Sequence, residues 1–140
     1  SKQLGQMIMQ FTPIKKENFD VIVPIPLHWT RYAKRGYNQA TIIAKEIGQS
    51  TDKPVIKLLR RRKKTKFQSM LAPQDRQDNV YEAFCLHWFY KKRYRDLIED
   101  KTILLVDDLC TTGVTLQSAA KILMKYKPKS VIAVVACRAL

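Results

Sequence analysis

Asp107 and Asp108 stand side by side at the end of the apolar run Ile103 to Val106, and Thr111, Thr112, Gly113, Val114 and Thr115 follow almost at once. Each part of this stretch has a chemical use. Paired carboxylates accept hydrogen bonds from hydroxyl groups, and charge makes those bonds strong. The hydroxyl-bearing glycine turn opens a helical pattern, and the free amides of a helix start attract phosphate. Acid for sugar hydroxyls beside amides for a phosphate describes a sugar-phosphate site. Neighbouring aspartates also end strands in P-loop ATPases and phosphoacceptor domains, and a plain strand-to-helix turn would solvate the pair. No Gly-rich loop with a lysine accompanies the pair here.

The elements that must position these groups follow from periodicity. Ile103 to Val106 is continuously apolar, as a strand buried on both faces of a parallel sheet should be. The pattern predicts strands at Asp20 to Pro24, Val55 to Leu59, Tyr81 to Leu86, Thr102 to Val106 and Ser130 to Ala136. Helices are predicted from Tyr37 to Gln49 and from Thr112 to Tyr126. A further helical pattern covers residues 1–11, and Pro73 starts a short one reaching Val80. Arg60 to Gln74 reads as a long mobile loop, and Trp88 to Asp100 is ambiguous. Strands alternating with helices predict an α/β fold, an open and mainly parallel sheet of about five strands flanked by helices. One domain spanning 1–140 accounts for the length, with residues 1–19 as an N-terminal extension.

Composition narrows the partners. The net charge of +14 over 140 residues points to a polyanion: nucleic acid, an acidic membrane surface or diphosphate. The densest cluster is Lys57 with Arg60, Arg61, Arg62, Lys63, Lys64 and Lys66, and Arg76 follows. With Phe67 and Tyr81 nearby it suits single-stranded DNA, which asks for phosphate attraction plus base stacking; a solvated charge run is the plain alternative. Lys91, Lys92, Arg93 and Arg95 lie beside Trp88 to Tyr90 and Tyr94, as a second basic-aromatic patch that suits a DNA surface or a partner interface, with core aromatics as the equal alternative. Cys85, Cys110 and Cys137 are far apart, which predicts neither a disulfide framework nor a zinc site and fits a cytoplasmic, reducing compartment. No apolar run reaches the length of a membrane span, and no secretory leader is visible. His28 and His87 are isolated and read as structural.

The thirteen residues from Ile103 to Thr115 resemble the signature of type I phosphoribosyltransferases, which bind phosphoribosyl pyrophosphate (PRPP). Four apolar residues, two acids, two variable residues, two hydroxyl residues, Gly, one variable residue and Thr are all in place. Three further segments resemble the ComF/GntX branch: Val23-Pro24-Ile25-Pro26-Leu27, then Arg35-Gly36-Tyr37-Asn38-Gln39, then a basic loop carrying Gln68, Arg76 and Asn79. The resemblance implies a type I phosphoribosyltransferase-like fold. It implies that Asp107 and Asp108 are catalytic carboxylates that accept hydrogen bonds from the ribose hydroxyls, and that residues 111–115 hold the 5′-phosphate. The diphosphate falls to Pro24, Ile25, Pro26, Leu27, Arg31 and Arg35, with Asn38 and Arg35 also candidates to cap or brace the following helix. Mg²⁺ would be the cofactor, carried mainly by PRPP with no direct protein ligand. The resemblance further implies a part in competence, handling single-stranded DNA with proteins of the uptake machinery, either as a pentosyl transferase for an unnamed acceptor or as a non-catalytic PRPP sensor. Many members carry a four-cysteine zinc module before the segment that begins here at Asp20. This sequence has no such cysteines, so zinc is not implied for these residues.

Overall fold

The computed structural model describes residues 15–27, 33–34, 36–62, 83–110 and 112–138. The elements, in chain order, are β1 (Val21–Pro24), α1 (Gln39–Thr51), β2 (Leu59–Arg61), β3 (Phe84–Leu86), α2 (Tyr94–Leu97), β4 (Thr102–Cys110), α3 (Val114–Met124) and β5 (Ser130–Arg138). Five strands are present among the described residues, divided between two sheets. β1, β4 and β5 form a three-stranded parallel sheet in the order β1-β4-β5, and β2 pairs antiparallel with β3.

Side-chain alternation divides the core into two layers. Val21, Val23, Ile103 and Leu105 face one side, packed with Ala119, Ile122 and Leu123 of α3 and with Leu59, Phe84 and Leu86 of the small sheet. Ile22, Leu104 and Val106 face the other, against Ile43, Ala44 and Ile47 of α1. Burial on both faces explains why the middle strand reads as an unbroken apolar run. Thr102 opens that strand, and its backbone N–H donates to the Asp20 carboxylate at 2.8 Å, which fixes the start of β4 against β1.

Several boundaries differ from the sequence pattern. β4 continues through Cys110 instead of stopping at Val106, because β5 extends to Arg138 and pairs with it. Cys110 therefore ends a strand and does not lie in the turn. α1 begins two residues later than Tyr37 because the Asn38 side chain accepts the Ala40 N–H at 3.1 Å and caps the helix. The apolar run Val55 to Leu59 is not one strand. Val55 makes a single parallel bridge to Ile22, while Leu59 turns into the antiparallel pair with Leu86. Arg60 and Arg61 lie in that pair and not in a mobile loop. The third strand is Phe84–Leu86, with Ala83 a bend before it, and Tyr81 and Glu82 lie outside the described residues. α3 is trimmed to Val114–Met124, and Trp88 to Asp100 resolves into a 3-10 turn at Trp88–Tyr90 followed by α2. The helical patterns at 1–11 and 73–80 lie outside the described residues. Among the described residues no helix is long and apolar enough to cross a membrane.

Gly48 marks a tight contact between α1 and the sheet. A Cβ there would stand 2.7 Å from Val55 Cγ2 and 3.0 Å from the Lys53 carbonyl oxygen. The Gly48→Ala variant gains about 1 kcal/mol of helix propensity but must displace a stiff β-branched side chain and a backbone oxygen, at about 1–3 kcal/mol. A net loss of about 1 kcal/mol in urea denaturation is expected; a stabilised variant would show that the contact relaxes freely.

Candidate functional site

The connections place the site. After β1 the chain passes through α1 to Val55, which sits beside Ile22 on the side of β1 away from β4. After β4 it passes through α3 to β5, on the opposite side. The two crossovers leave in opposite directions, so the carboxyl ends of β1 and β4 flank a crevice. Open parallel sheets bind ligands at such a switch point. Pro24 and Val106 are the last β1–β4 partners, and Asp107 is the next residue along.

Asp107 is 8% exposed, and Asp108 is half-buried. The Asp108 backbone N–H donates to Asp107 Oδ1 at 2.9 Å, which fixes the first carboxylate over the second residue's amide. Burial raises the Asp107 pKa from 3.8 to about 6, and the Asp108 carboxyl group adds to the rise. The Asp108 N–H and, more weakly, the Arg61 guanidinium act in the other direction. Both aspartates lie within β4, which runs on to Cys110, and the chain then reaches Gly113, whose φ of +79° is left-handed and suits glycine. Thr112 is exposed, while Gly113, Val114 and Thr115 are half-buried where α3 begins. Five residues, 109–113, separate the Asp pair from the start of α3 at Val114. Thr111 lies outside the described residues.

The loop after β1 is held from three directions. The Ile25 N–H donates to the Val106 carbonyl at 2.8 Å, and the Asn38 amide donates to the Ile25 carbonyl at 2.8 Å. Arg61 Nε donates to the Pro26 carbonyl at 2.9 Å. Asn38 thus both caps α1 and braces the loop, a double use of one amide. Pro24 and Ile25 are buried, and Pro26 and Leu27 are half-buried. Arg31, Arg35 and His28 lie outside the described residues.

Arg61 belongs to the site rather than to a solvated charge run. Besides the Pro26 bond, its guanidinium carbon lies 4.7 Å from the centroid of the Phe84 ring, and its charge reaches Asp107. Guanidinium planes stack on rings in this way. Nothing in the run Arg60 to Lys66 sets Arg61 apart, since the signal is tertiary: its antiparallel partner is Phe84. Arg60 donates from Nε to Cys85 Sγ at 3.3 Å, and Arg62 is exposed. Lys63, Lys64, Lys66 and Arg76 lie outside the described residues, as do Gln68 and Asn79. His87 has a structural use, its Nδ1 accepting the Phe89 N–H at 3.3 Å.

The raised Asp107 pKa has a signed consequence. The folded chain holds this proton more tightly than the unfolded chain, so the associated stability is full below about pH 4 and lost as pH rises through about 6. The Asp107→Asn variant removes the ionisation and is expected to gain up to ~3 kcal/mol over wild type at pH 7, and almost nothing at pH 4. Thermal melts at both pH values check this. A gain independent of pH would contradict the burial argument.

Comparison with known proteins shows the family and the fold. The model of the phosphoribosyl transferase domain matches residues 5–140, and the chain belongs to that family. Within it the chain falls in the ComF branch. It is 34% identical over 107 residues to Competence protein F of Haemophilus influenzae and 33% identical over 117 residues to Competence protein ComFC of Bacillus subtilis. These matches cover 76% and 82% of this chain but only 44% and 42% of those proteins, so the chain spans less than half the length of the curated relatives it matches. The fold is shared with the allosteric regulatory enzyme of purine biosynthesis at a TM-score of 0.63 and 18% identity, covering 96% of this chain and 25% of that one. A protein of Thermus thermophilus matches at a TM-score of 0.53 and 18% identity, over 96% of this chain and 72% of that one.

Proposed function

We propose that this chain binds PRPP in the crevice between β1 and β4 and takes part in competence, as its curated relatives' names suggest for them. The observation that carries the reading is the placement of Asp107 and Asp108 at the switch point, shortly before the left-handed Gly113 that opens α3. Asp107 and Asp108 accept the ribose 2′- and 3′-hydroxyls, and their negative charge favours a cation-like C1 as the diphosphate leaves. Amides at the start of α3, with the hydroxyls of Thr112 and Thr115, take the 5′-phosphate. The braced loop Pro24 to Leu27 faces the leaving group.

Magnesium fits this donor set. With Asp107 and Asp108 given to the ribose hydroxyls, such an ion would take most of its oxygens from the sugar diphosphate and water. When bound, the ion would neutralise the leaving diphosphate.

The reaction class is pentosyl transfer to an acceptor outside the chain, at the cytoplasmic side of DNA uptake. The +14 charge supports a nucleic-acid partner for the same protein. Diphosphate release from PRPP, followed with a panel of nucleophilic acceptors, tests the transfer. Release that depends on acceptor supports an enzyme. Binding without release for every acceptor supports a PRPP sensor instead.

A further inference from the structure

The 3-10 turn Trp88–Tyr90 is apolar in sequence yet turned to solvent. Trp88 is 65% exposed and Phe89 is 54% exposed. Leaving rings of this size in water forgoes about 1.5–3 kcal/mol each in burial, so their exposure calls for a use. The turn is well built. The His87 ring caps it, the Tyr90 N–H donates to the His87 carbonyl at 2.9 Å, and the Arg93 N–H donates to the Tyr90 carbonyl at 2.9 Å. Tyr90 and Tyr94 pack against the core and anchor it from below. The His87 and Trp88 rings lie near parallel at 5.8 Å, and Trp88 meets Phe89 edge-on at 6.0 Å.

Cations adjoin the rings. Lys91, Lys92, Arg93 and Arg95 are all exposed, and no acid occurs from Ala83 to Arg95. The nearest acids in the following sequence, Asp96 and Glu99, are on the α2 side, where Glu99 acts on Arg95. This composition separates two kinds of partner. Cores of protein interfaces take up aromatics and arginine but are depleted in lysine. Single-stranded nucleic acid asks for aromatic faces and lysines together.

We propose that His87 to Arg95 is a stacking platform for single-stranded nucleic acid, with bases on Trp88 and Phe89 and phosphates on Lys91, Lys92 and Arg93. The proposal deepens the nucleic-acid part of the reading above and rests on it. It moves the contact away from Arg61, which is engaged at the crevice.

Anisotropy of a labelled oligothymidylate, titrated with the whole chain at several salt concentrations, tests it. Three variants are compared with wild type: Trp88→Ala/Phe89→Ala, Lys91→Gln/Lys92→Gln/Arg93→Gln, and Arg60→Gln/Arg62→Gln. The ring variant is expected to lose affinity about tenfold or more at fixed salt, with the salt slope unchanged. The triple charge variant is expected to lower the slope of log K against log salt by about 2, at about 0.7 per phosphate. The substituted rings and cations of the platform are exposed, and the hydrogen bonds that build its turn run through the backbone and His87, so melting temperatures of both platform variants should match wild type. If both platform variants bind as wild type while the Arg60/Arg62 variant does not, the platform is wrong and the nucleic-acid reading stands. If wild type itself does not bind, both fail. A duplex of equal length competing as well as the single strand would overturn stacking.

Discussion

The Phe84→Ala variant is expected to lose about 3–5 kcal/mol of unfolding free energy. Phe84 is 1% exposed and lies in the cluster that joins the small antiparallel sheet to β1, β4 and α3. Truncation leaves a ring-sized cavity between these layers. It also removes the face on which the Arg61 guanidinium rests, worth about 1 kcal/mol more if partly desolvated. Natural domains are stable by only about 5–15 kcal/mol, so this change alone brings the chain close to unfolding at moderate temperature. The Phe84→Leu variant keeps most of the volume and should cost under about 2 kcal/mol. Urea denaturation of the two variants separates packing from stacking. A loss below about 1 kcal/mol for Phe84→Ala would mean that the small sheet opens independently of the main core.

That sheet is also where the sequence is hardest to read. The core of β4 is legible because burial on both faces leaves a continuous apolar run. α1 was legible because Ala40, Ile43, Ala44 and Ile47 recur at helical spacing and are buried together. β2 and β3 are each three residues long. Periodicity over three residues carries almost no information, and the segment between them has no pattern to fix their pairing. Arg60 and Arg61 therefore look alike in sequence, yet one rests on Cys85 at an exposed edge and the other crosses to the Pro26 carbonyl. The extension of β4 to Cys110 was hidden for a related reason. Asp107 and Asp108 are poor strand formers by composition, and only the pairing with Val135 and its neighbours keeps them extended. The exposed aromatics at Trp88 and Phe89 could not be told from core by type, because a ring reads the same in either place. Asn38 carried a real signal, since Asn is a strong helix cap, but its second bond to Ile25 depends on the fold.

The Asp107→Asn/Asp108→Asn variant is expected to bind PRPP about hundredfold more weakly than wild type. Two ionised acceptors facing ribose hydroxyls are worth about 1.5–3 kcal/mol each, and asparagine keeps roughly half of that as neutral hydrogen bonds. The sign of the effect is informative. PRPP carries phosphate and diphosphate charge, so removing two acids from an arbitrary nearby surface would lessen repulsion and tighten binding. Weakening therefore requires the carboxylates to meet the sugar rather than merely lie close to it. The same change should stabilise the free protein at neutral pH, because the buried Asp107 no longer has to ionise. A more stable chain with a weaker site cannot be explained by misfolding.

Calorimetric titration of PRPP with Mg²⁺ into the wild type and into this double variant tests the account most directly. Saturable heat is expected in the wild type, with a loss of affinity of about hundredfold in the variant. Equal or tighter binding by the variant, or no heat in the wild type at saturating ligand, would contradict the placement of the sugar at the end of β4.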